Sequence, residues 1–557
     1  AVAASGFDEI TQFTYDGTTG DLTQVTTPLG EIISVSNYDP LGDPGLFTVY
    51  PDTGNPATST TPLSTSFSYD AAQMPVLITA PSNTRLETTF TDGVITQYRW
   101  YNLALPSTTL AQVNLSTDSR GRLYAASDLA GSLAQFKYDK RGNLTRIFDG
   151  AHSVAPNIYT QVTYGKNNEP TGLIWPGGKQ ITPTYDKGGR FSTTTDERGV
   201  VSRFTFDNAN RFTGVTTDPW NGFLAQSVTV PSGGYDAAGR LQRIEPRDGT
   251  TLKDATQFTY EPTRKRLQNV ATTLGSRTYN VSYDYYPDGK RHTMTSPAGV
   301  TTYTYDKAGR LKTLVSPAGE TTTWSYDKAG RVTSEVTTTT AGQNVGTTYT
   351  YGPSGQTGDP STAPVYLRTL THTVNGTPLW TFTLKHSYLG QLLEQTGVGP
   401  TGESDYAAYG YDARGRLTGD SEQYQVGGAT STGGGVYNYD LANNLQGGPT
   451  DPSGAGGWSY NADNQATSAR GGLSGGTGLT YDFAGNLTAI NGKGLAWDPF
   501  GQLVSWTNTP SGTISFSYDY AGRRVSKTVG ATGVTTHFLY NGSLLIAEVD
   551  AVTGTVT

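Results

Sequence analysis

The sequence contains no cysteine among its 557 residues, so disulfides and thiolate metal sites play no part in holding this long chain together. Charged residues make up only 15% of the chain and apolar residues only 35%, which indicates neither a highly charged surface nor one large conventional core. No apolar run reaches the roughly 18 residues that a membrane-spanning helix needs. No stretch shows sustained helical periodicity, so the sequence predicts an all-β protein.

The charge pattern predicts no nucleic-acid partner. The formal net charge is −8, and the lysine and arginine residues are scattered at turn positions. Neutralising phosphates needs a basic patch or stripe, and the sequence has none. No secretory leader stands at Ala1, which is compatible with export if a leader has been removed.

What the chain has in abundance is glycine (69 residues) and tyrosine (35 residues), together with threonine and serine, the composition of strands and turns. The pattern Tyr-Asp-x-x-Gly-Arg/Asn recurs throughout, and several copies, such as those at Tyr305 and Tyr326, lie 21 residues apart. A repeat of fixed period predicts an array of similar units. The eight strict copies begin at Tyr138, Tyr185, Tyr235, Tyr305, Tyr326, Tyr411, Tyr481 and Tyr518, and their turn glycines are Gly142, Gly189, Gly239, Gly309, Gly330, Gly415, Gly485 and Gly522.

Each copy predicts a β-hairpin. Asp306 can bond its own backbone two residues on, and Gly309 supplies a positive φ, which is typical of a type I turn closed by a glycine bulge. The register then places Tyr305 opposite Leu311 and Tyr303 opposite Thr313. The predicted tyrosine face carries Tyr303, Tyr305, Leu311 and Val315, and the polar face carries Thr302, Thr304, Asp306, Arg310 and Lys312.

Aromatic–aliphatic pairs are the expected unit of stability. Such pairs contribute roughly 0.2–1 kcal/mol each, too little for one hairpin alone, so neighbouring hairpins must stack and bury the tyrosines as a core. The copy at Tyr518 departs from the rule, because Arg524 stands where the aliphatic residue should be. The other expected pairs are Tyr138–Leu144, Tyr185–Phe191, Tyr235–Leu241, Tyr326–Val332, Tyr411–Leu417 and Tyr481–Leu487.

The repeats divide the chain softly. Residues 1–130 carry degenerate copies, residues 131–352 carry regular repeats, residues 353–410 form an irregular stretch with long strands, and repeats resume over residues 411–557. No segment between them has the composition of a linker. We therefore expect one continuous array rather than separate domains.

No motif in the chain predicts catalysis, a cofactor or a metal. Residues 397–402 match the glycine pattern of dinucleotide-binding loops, but a strand-like segment follows where a helix is needed. Residues 472–476 match a nucleophile elbow, but they lie in Gly/Ser-rich sequence. The repeated aspartates are expected to cap turns. None of the five histidines has the spacing of a metal site; they are His152, His292, His372, His386 and His537.

At its Tyr-Asp-x-x-Gly-Arg-Leu copies the chain resembles the RHS/YD-repeat family of bacterial polymorphic toxins, insecticidal toxin shells, wall-associated proteins and teneurins. The resemblance implies a long antiparallel β-spiral wound into a hollow shell, or β-cocoon, that encloses a C-terminal toxic domain. Toxin members also carry a core with a self-cleavage element, which we expect to be absent from this chain. The segment WDPFGQL at Trp497 resembles that element but keeps repeat spacing, which favours a worn repeat.

Three functional classes follow for comparison. The first is a non-enzymatic shell segment of a secreted or surface bacterial protein, with its own C-terminal core and toxin cargo as partners. The second is a teneurin-like extracellular adhesion module that binds a surface protein or glycan. The third, a glycan-cleaving β-solenoid enzyme, would need a cleft with paired carboxylates, and the sequence does not reveal one.

Overall fold

The computed structural model describes residues 11–59, 62–103, 105–150, 158–352, 366–448, 458–468, 479–490, 492–507 and 512–556. These residues contain no helix, and 59% of them lie in strands. Among the described residues there is accordingly no helix long and apolar enough to cross a membrane. The predicted all-β array of antiparallel hairpins is confirmed.

The described residues form 48 strands, which are numbered in chain order. The first sixteen are β1 (Gln12–Tyr15), β2 (Leu22–Thr26), β3 (Ile32–Ser36), β4 (Leu46–Val49), β5 (Leu63–Tyr69), β6 (Pro75–Thr79), β7 (Thr84–Thr91), β8 (Val94–Asn102), β9 (Leu105–Thr117), β10 (Leu123–Asp128), β11 (Gly131–Tyr138), β12 (Leu144–Asp149), β13 (Thr160–Tyr164), β14 (Pro170–Ile174), β15 (Gln180–Tyr185) and β16 (Phe191–Thr195). The next sixteen are β17 (Val201–Phe206), β18 (Phe212–Thr217), β19 (Gln226–Thr229), β20 (Arg243–Asp248), β21 (Thr251–Leu252), β22 (Asp254–Tyr260), β23 (Leu267–Leu274), β24 (Arg277–Tyr285), β25 (Arg291–Ser296), β26 (Gly299–Tyr305), β27 (Leu311–Val315), β28 (Thr321–Tyr326), β29 (Val332–Thr338), β30 (Asn344–Tyr351), β31 (Leu367–Val374) and β32 (Thr377–His386). The last sixteen are β33 (Leu392–Val398), β34 (Ser404–Tyr411), β35 (Leu417–Val426), β36 (Ala429–Val436), β37 (Asn438–Tyr439), β38 (Leu445–Gly447), β39 (Ser459–Tyr460), β40 (Ala466–Ser468), β41 (Thr480–Tyr481), β42 (Leu487–Ile490), β43 (Lys493–Trp497), β44 (Leu503–Thr507), β45 (Thr513–Tyr518), β46 (Arg524–Val529), β47 (Val534–Asn541) and β48 (Leu544–Asp550).

Strands pair mainly with their neighbours in the chain. Strands β1 to β36 belong to one long sheet, β37–β38 and β39–β40 form two-stranded sheets, and β41 to β48 form an eight-stranded sheet. Two compact units can be distinguished. Unit 1 consists of residues 1–135, 149–153 and 302–456, and unit 2 consists of residues 136–148, 154–301 and 457–557.

The eight Asp-x-x-Gly sites all form tight turns. In each, the glycine N–H donates to the aspartate carbonyl at 2.9–3.2 Å, and the glycine φ lies between +74° and +98°. At Asp306 the backbone N–H also donates to the carbonyl of Arg310 at 2.9 Å. Only glycine adopts this left-handed conformation without a Cβ penalty, which is why the fourth position is so regular.

A bulge corrects part of the predicted register. Tyr305 pairs with Leu311 as expected, but Tyr303 pairs with Leu314 and not with Thr313, because Lys312 is an extra residue in β27. Leu314 therefore shares the tyrosine face, and the placement of Val315 there was wrong: Val315 lies opposite Thr302.

The same bulge follows the other turns. The observed pairs are Tyr185–Phe191, Tyr235–Leu241, Tyr326–Val332, Tyr411–Leu417, Tyr481–Leu487 and Tyr518–Arg524. At Tyr518 the register is thus the common one, and the bulged residue, Val525, is only 3% exposed. The pair Tyr138–Leu144 stays a prediction, although Asp139 and Gly142 form the expected turn.

The tyrosine face is only partly buried. Tyr305 and Asp306 are both half-buried, so neither face of this hairpin is fully buried while the other is exposed to solvent. Unit 2 contains a tighter apolar cluster in which every member is at most 7% exposed. This cluster consists of Leu274, Tyr279, Val525, Leu539, Ala547 and Val549.

Gly189→Ala should destabilise the protein by about 1–2 kcal/mol. Gly189 has φ +77°, and a Cβ there would meet no atom within 4 Å, so the cost is backbone strain alone. Gly494→Ala is the matched control, because Gly494 also has open space around it but no positive φ. Denaturant unfolding of both variants should show a loss for Gly189→Ala only; equal stability of the two would contradict the argument.

Candidate functional site

The aspartate of each repeat is fully used by its own turn. One carboxylate oxygen of Asp306, Oδ1, accepts the backbone N–H groups of Ala308 at 2.9 Å and Arg310 at 3.0 Å. The other, Oδ2, accepts Nε of Arg310 at 2.7 Å. The aspartate therefore caps the turn and holds the arginine side chain in a fixed direction.

That direction leads to the next hairpin. The Arg310 guanidinium lies 4.5 Å from the centre of the Tyr326 ring, a cation–π contact. The Tyr326 hydroxyl donates to the carbonyl of Leu311 at 2.7 Å. This carbonyl is adjacent to the bulged Lys312, where the strand ladder is interrupted, so the phenol supplies a donor at the point of irregularity. We call this arrangement of Asp306, Arg310 and Tyr326 a clasp.

The clasp recurs along the array. At ten positions a tyrosine hydroxyl donates to a backbone carbonyl of the preceding hairpin, at 2.6–2.9 Å. An arginine also covers the ring at six of them, namely Tyr235, Tyr260, Tyr285, Tyr326, Tyr351 and Tyr540. These donor–acceptor pairs are Tyr38–Leu22, Tyr164–Leu144, Tyr235–Phe212, Tyr260–Leu241, Tyr285–Leu267, Tyr326–Leu311, Tyr351–Val332, Tyr411–Leu392, Tyr518–Leu503 and Tyr540–Arg524. The guanidinium–ring contacts, at 4.2–5.2 Å, are Arg190–Phe206, Arg211–Tyr235, Arg240–Tyr260, Arg266–Tyr285, Arg310–Tyr326, Arg331–Tyr351, Arg416–Tyr439 and Arg523–Tyr540.

Repeats that carry other residues at the arginine or tyrosine position keep the geometry with other groups. Where asparagine replaces arginine, as at Asn143, its amide still donates to the turn aspartate, Asp139, at 3.0 Å. In WDPFGQL the indole Nε1 of Trp497 donates to the carbonyl of Leu487 at 2.7 Å and takes the place of the phenol. The structure thus treats Trp497 as a repeat position.

The protonation behaviour of the clasp follows from these contacts. The hydrogen bond from Arg190 is the largest of several that lower the pKa of Asp186. A side-chain hydrogen bond from Arg122 is the main cause that lowers the pKa of Asp118 to about 2. Burial raises the pKa of the Tyr326 and Tyr518 phenols, so both stay protonated and can donate at neutral pH.

The remaining sequence motifs that fall within the described residues lie in ordinary strands and turns. The glycines of residues 397–402 join β33 to β34, with the Gly399 N–H donating to Glu403 at 2.9 Å, and no helix follows. Four histidines contact ordinary neighbours: His292 contacts Asp284 and Tyr286, His372 contacts Thr347 and Phe382, His386 stacks on Tyr366, and His537 contacts Tyr279. Residues 472–476 and His152 lie outside the described residues. In the part of the chain that is described, no three His, Cys, Asp or Glu side chains group as metal ligands.

Sequence reasoning missed a second class of contact, between residues almost 300 positions apart. In unit 1, Arg414 pairs with Asp128 at 2.5 Å, and their side chains are only 6% and 7% exposed. In unit 2, Arg198 donates to the carbonyls of Asp498 at 2.9 Å and Pro499 at 2.7 Å. Both arginines lie just before the turn glycine, which is a solvent-facing position in the consensus. Their unusual placement was the sequence signal that could have indicated these long-range contacts.

Comparisons with known proteins agree with the geometry. Residues 285–321 and 305–343 match the RHS Repeat family model, and residues 366–549 match the Teneurin YD-shell family model. A search of curated proteins gives no match.

Solved structures share the fold. The crystal structure of TcdB2-TccC3-Cdc42 matches with a TM-score of 0.68 and 15% identity over 97% of this chain and 30% of that chain. The structure of TcdB2-TccC3 without its hypervariable C-terminal region matches with a TM-score of 0.65 and 14% identity, over 98% of this chain and 31% of that chain. The Photorhabdus luminescens Tc holotoxin pore carrying TccC3-D651A matches with a TM-score of 0.51 and 13% identity, over 98% of this chain and 31% of that chain. The chain therefore spans about a third of the length of these relatives.

Tyr326→Phe should cost about 1 kcal/mol, because the Leu311 carbonyl loses its donor while the ring remains. Tyr326→Ala should cost about 2–4 kcal/mol, because ring burial and the cation–π contact are lost as well. Tyr124→Phe is the control, since the Tyr124 side chain is 47% exposed. Equilibrium unfolding of the three variants tests the order; a neutral Tyr326→Ala would show that the clasp contributes nothing.

Proposed function

We propose that this RHS/YD-repeat chain is a non-enzymatic wall segment of a hollow shell in a secreted or surface bacterial protein. The shell encloses or protects a polypeptide carried by the same protein, such as a C-terminal toxin. The observation that carries the proposal is the clasp, which joins neighbouring hairpins at repeated positions along the array. The eight tyrosines and glycines of the strict repeats have this structural role.

The length of the array supports a closed form. At about 4.8 Å per strand, 48 strands laid side by side would extend about 230 Å. Twisted open sheets rarely exceed about ten strands without curling or splitting, so an array of this length is expected to coil around a lumen.

The cargo is inferred from the relatives. A hypervariable C-terminal region is named for TcdB2-TccC3, whose fold the chain shares over 98% of its length. By analogy, the proposed cargo of this chain is a polypeptide segment of variable sequence. The repeat wall is independent of that sequence, because its clasps use only its own backbone and side chains.

The alternative is a teneurin-like extracellular adhesion module, and one surface feature favours it. The hairpin β35–β36 is exposed over most of its length, and its Tyr424 is 46% exposed. Trp380 stacks nearly parallel to both Phe382 and Tyr424, with interplanar angles of 14° and 24°. Such rings can pack against a sugar or an apolar protein surface.

Imaging the complete polypeptide that contains this chain separates the two functions. If the protein is a shell, cryo-electron microscopy should show density for additional polypeptide inside the wall. Protease should leave that segment intact until the wall is unfolded. An empty lumen together with saturable binding of a surface protein or glycan through β35–β36 would favour adhesion. Tyr424→Ala is the discriminating variant, because it should abolish binding only in the adhesion case.

A non-enzymatic wall also predicts indifference to metal ions. Adding a chelator should leave the melting temperature of the purified chain unchanged, because the described side chains offer no metal-ligand group. A chelator-induced fall of several degrees, reversed by one divalent metal, would contradict the prediction.

A further inference from the structure

The C-terminal hairpins of unit 2 dock against strands β22–β24 of the same unit, and we call this contact the seam. The Phe258 ring meets the Tyr520 ring edge-on at 6.1 Å between centres. The Tyr279 hydroxyl contacts Nδ1 of His537 at 3.0 Å, and Nε of Arg277 donates to the carbonyl of Ala551 at 2.9 Å. The apolar cluster around Val549 lies in this seam.

An ionisable side chain without a partner is buried in the seam. Asp254, the first residue of β22, is 2% exposed, and neither of its carboxylate oxygens accepts a hydrogen bond from a described protein group. Its partner in β23 is the apolar Leu274. Burial of a carboxylate without donors strongly disfavours the charged form.

The charges that face Asp254 come from both sides of the seam. Asp519 and Arg523 belong to the docked turn, and Lys253 is its neighbour in the chain. The two cations are already engaged. Arg523 pairs with Asp519 at 2.6 Å and also donates to the carbonyl of Gly542.

Lys253 is held by the buried side chain of Gln226. In the amide orientation that satisfies its partners, Gln226 accepts from Lys253 Nζ at 3.0 Å and donates to Oδ2 of Asp498 at 3.1 Å. Asp498 is 1% exposed, and burial raises its pKa. A cavity of about 360 Å³ adjoins Asp498, Asp519, Lys253 and Tyr520.

We propose that Asp254 is a proton-controlled latch of the seam. The neutral acid lets the turn at residues 519–523 dock against β22, and the carboxylate, facing Asp519 without a donor of its own, loosens that turn. The cavity beside the turn gives water a route to the charge as the contact opens. The latch concerns unit 2 by itself and holds whether or not the chain encloses cargo.

The direction of the pH dependence follows from the raised pKa. Burial, and next the charge of Asp519, raise the pKa of Asp254 from 3.8 to about 7. A group whose pKa is higher in the docked state binds its proton more tightly there, so docking is strongest below the unperturbed pKa. The stabilisation is lost as pH rises between these two values, and above about pH 7 no further loss comes from this group.

The turn aspartates with lowered pKa values have the opposite pH dependence, and the Asp254→Asn variant separates Asp254 from Asp498, whose pKa is also raised by burial. The pKa values of the turn aspartates Asp186, Asp236 and Asp412 are lowered, so these groups are ionised throughout this pH window. They destabilise the protein only at more acidic pH, which is the opposite sign. His537, also in the seam, has its pKa lowered by burial and the nearby Arg277. Its protonation would loosen the seam towards acidic pH, again the opposite sign.

Hydrogen–deuterium exchange at about pH 5 and about pH 8, corrected for intrinsic exchange rates, tests the latch in the wild-type chain. The opening equilibrium of peptides from β45–β48 should rise roughly 10- to 100-fold between the two pH values. Peptides from β28–β29 in unit 1 serve as the internal reference and should show no such rise. Equal responses of the two regions would overturn the proposal, even if no variant could be purified.

Two variants assign the effect to one side chain. Asp254→Asn removes the ionisation and should reduce the seam response to that of the reference peptides. Asp284→Asn, which removes a carboxylate that is 57% exposed in β24, should keep the wild-type response. Retention of the pH response in Asp254→Asn, or its loss in Asp284→Asn, would show that Asp254 is not the latch.

Discussion

The interaction on which the rest of the structure depends is the hydrogen bond between a tyrosine hydroxyl and the carbonyl beside the bulge of the preceding hairpin. An isolated hairpin is at best marginally stable in water, and each bulge interrupts the strand ladder. The next tyrosine supplies the donor at that point, while an arginine fixed by its own turn aspartate covers the ring. Tyr326, Leu311 and Arg310 show how one hairpin fixes the position of the next.

Contacts between distant residues have a different character, because they rely on buried charge. The Arg414–Asp128 pair in unit 1 is almost fully buried, as is the Arg198 side chain in unit 2. Desolvation offsets much of the attraction in such pairs, yet losing one partner leaves an uncompensated charge. These contacts therefore favour one correct register of distant segments more than they add stability. The apolar cluster around Val549 adds hydrophobic burial to the contact in unit 2.

The same residue type responds to pH in two opposite ways in this chain. A turn aspartate such as Asp236 receives backbone and arginine donors, and these stabilise its charged form. Asp254 receives none and lies at the buried start of β22, so its neutral form is favoured. Hydrogen bonding and desolvation thus give aspartates on one scaffold opposite effects on stability.

The sequence by itself determined the all-β class, the hairpins, their turns and the pairing of Tyr305 with Leu311, because all of these are set by residues fewer than ten positions apart. It did not reveal the extra residue Lys312 in the bulge, and Val315 was therefore placed on the wrong face. Only the tertiary structure decided that Asp254 faces Asp519, that Arg198 reaches Asp498, and that Tyr305 is half-buried. These properties depend on which strands come into contact across some 300 residues of chain. The spacing of a 21-residue repeat does not specify those contacts.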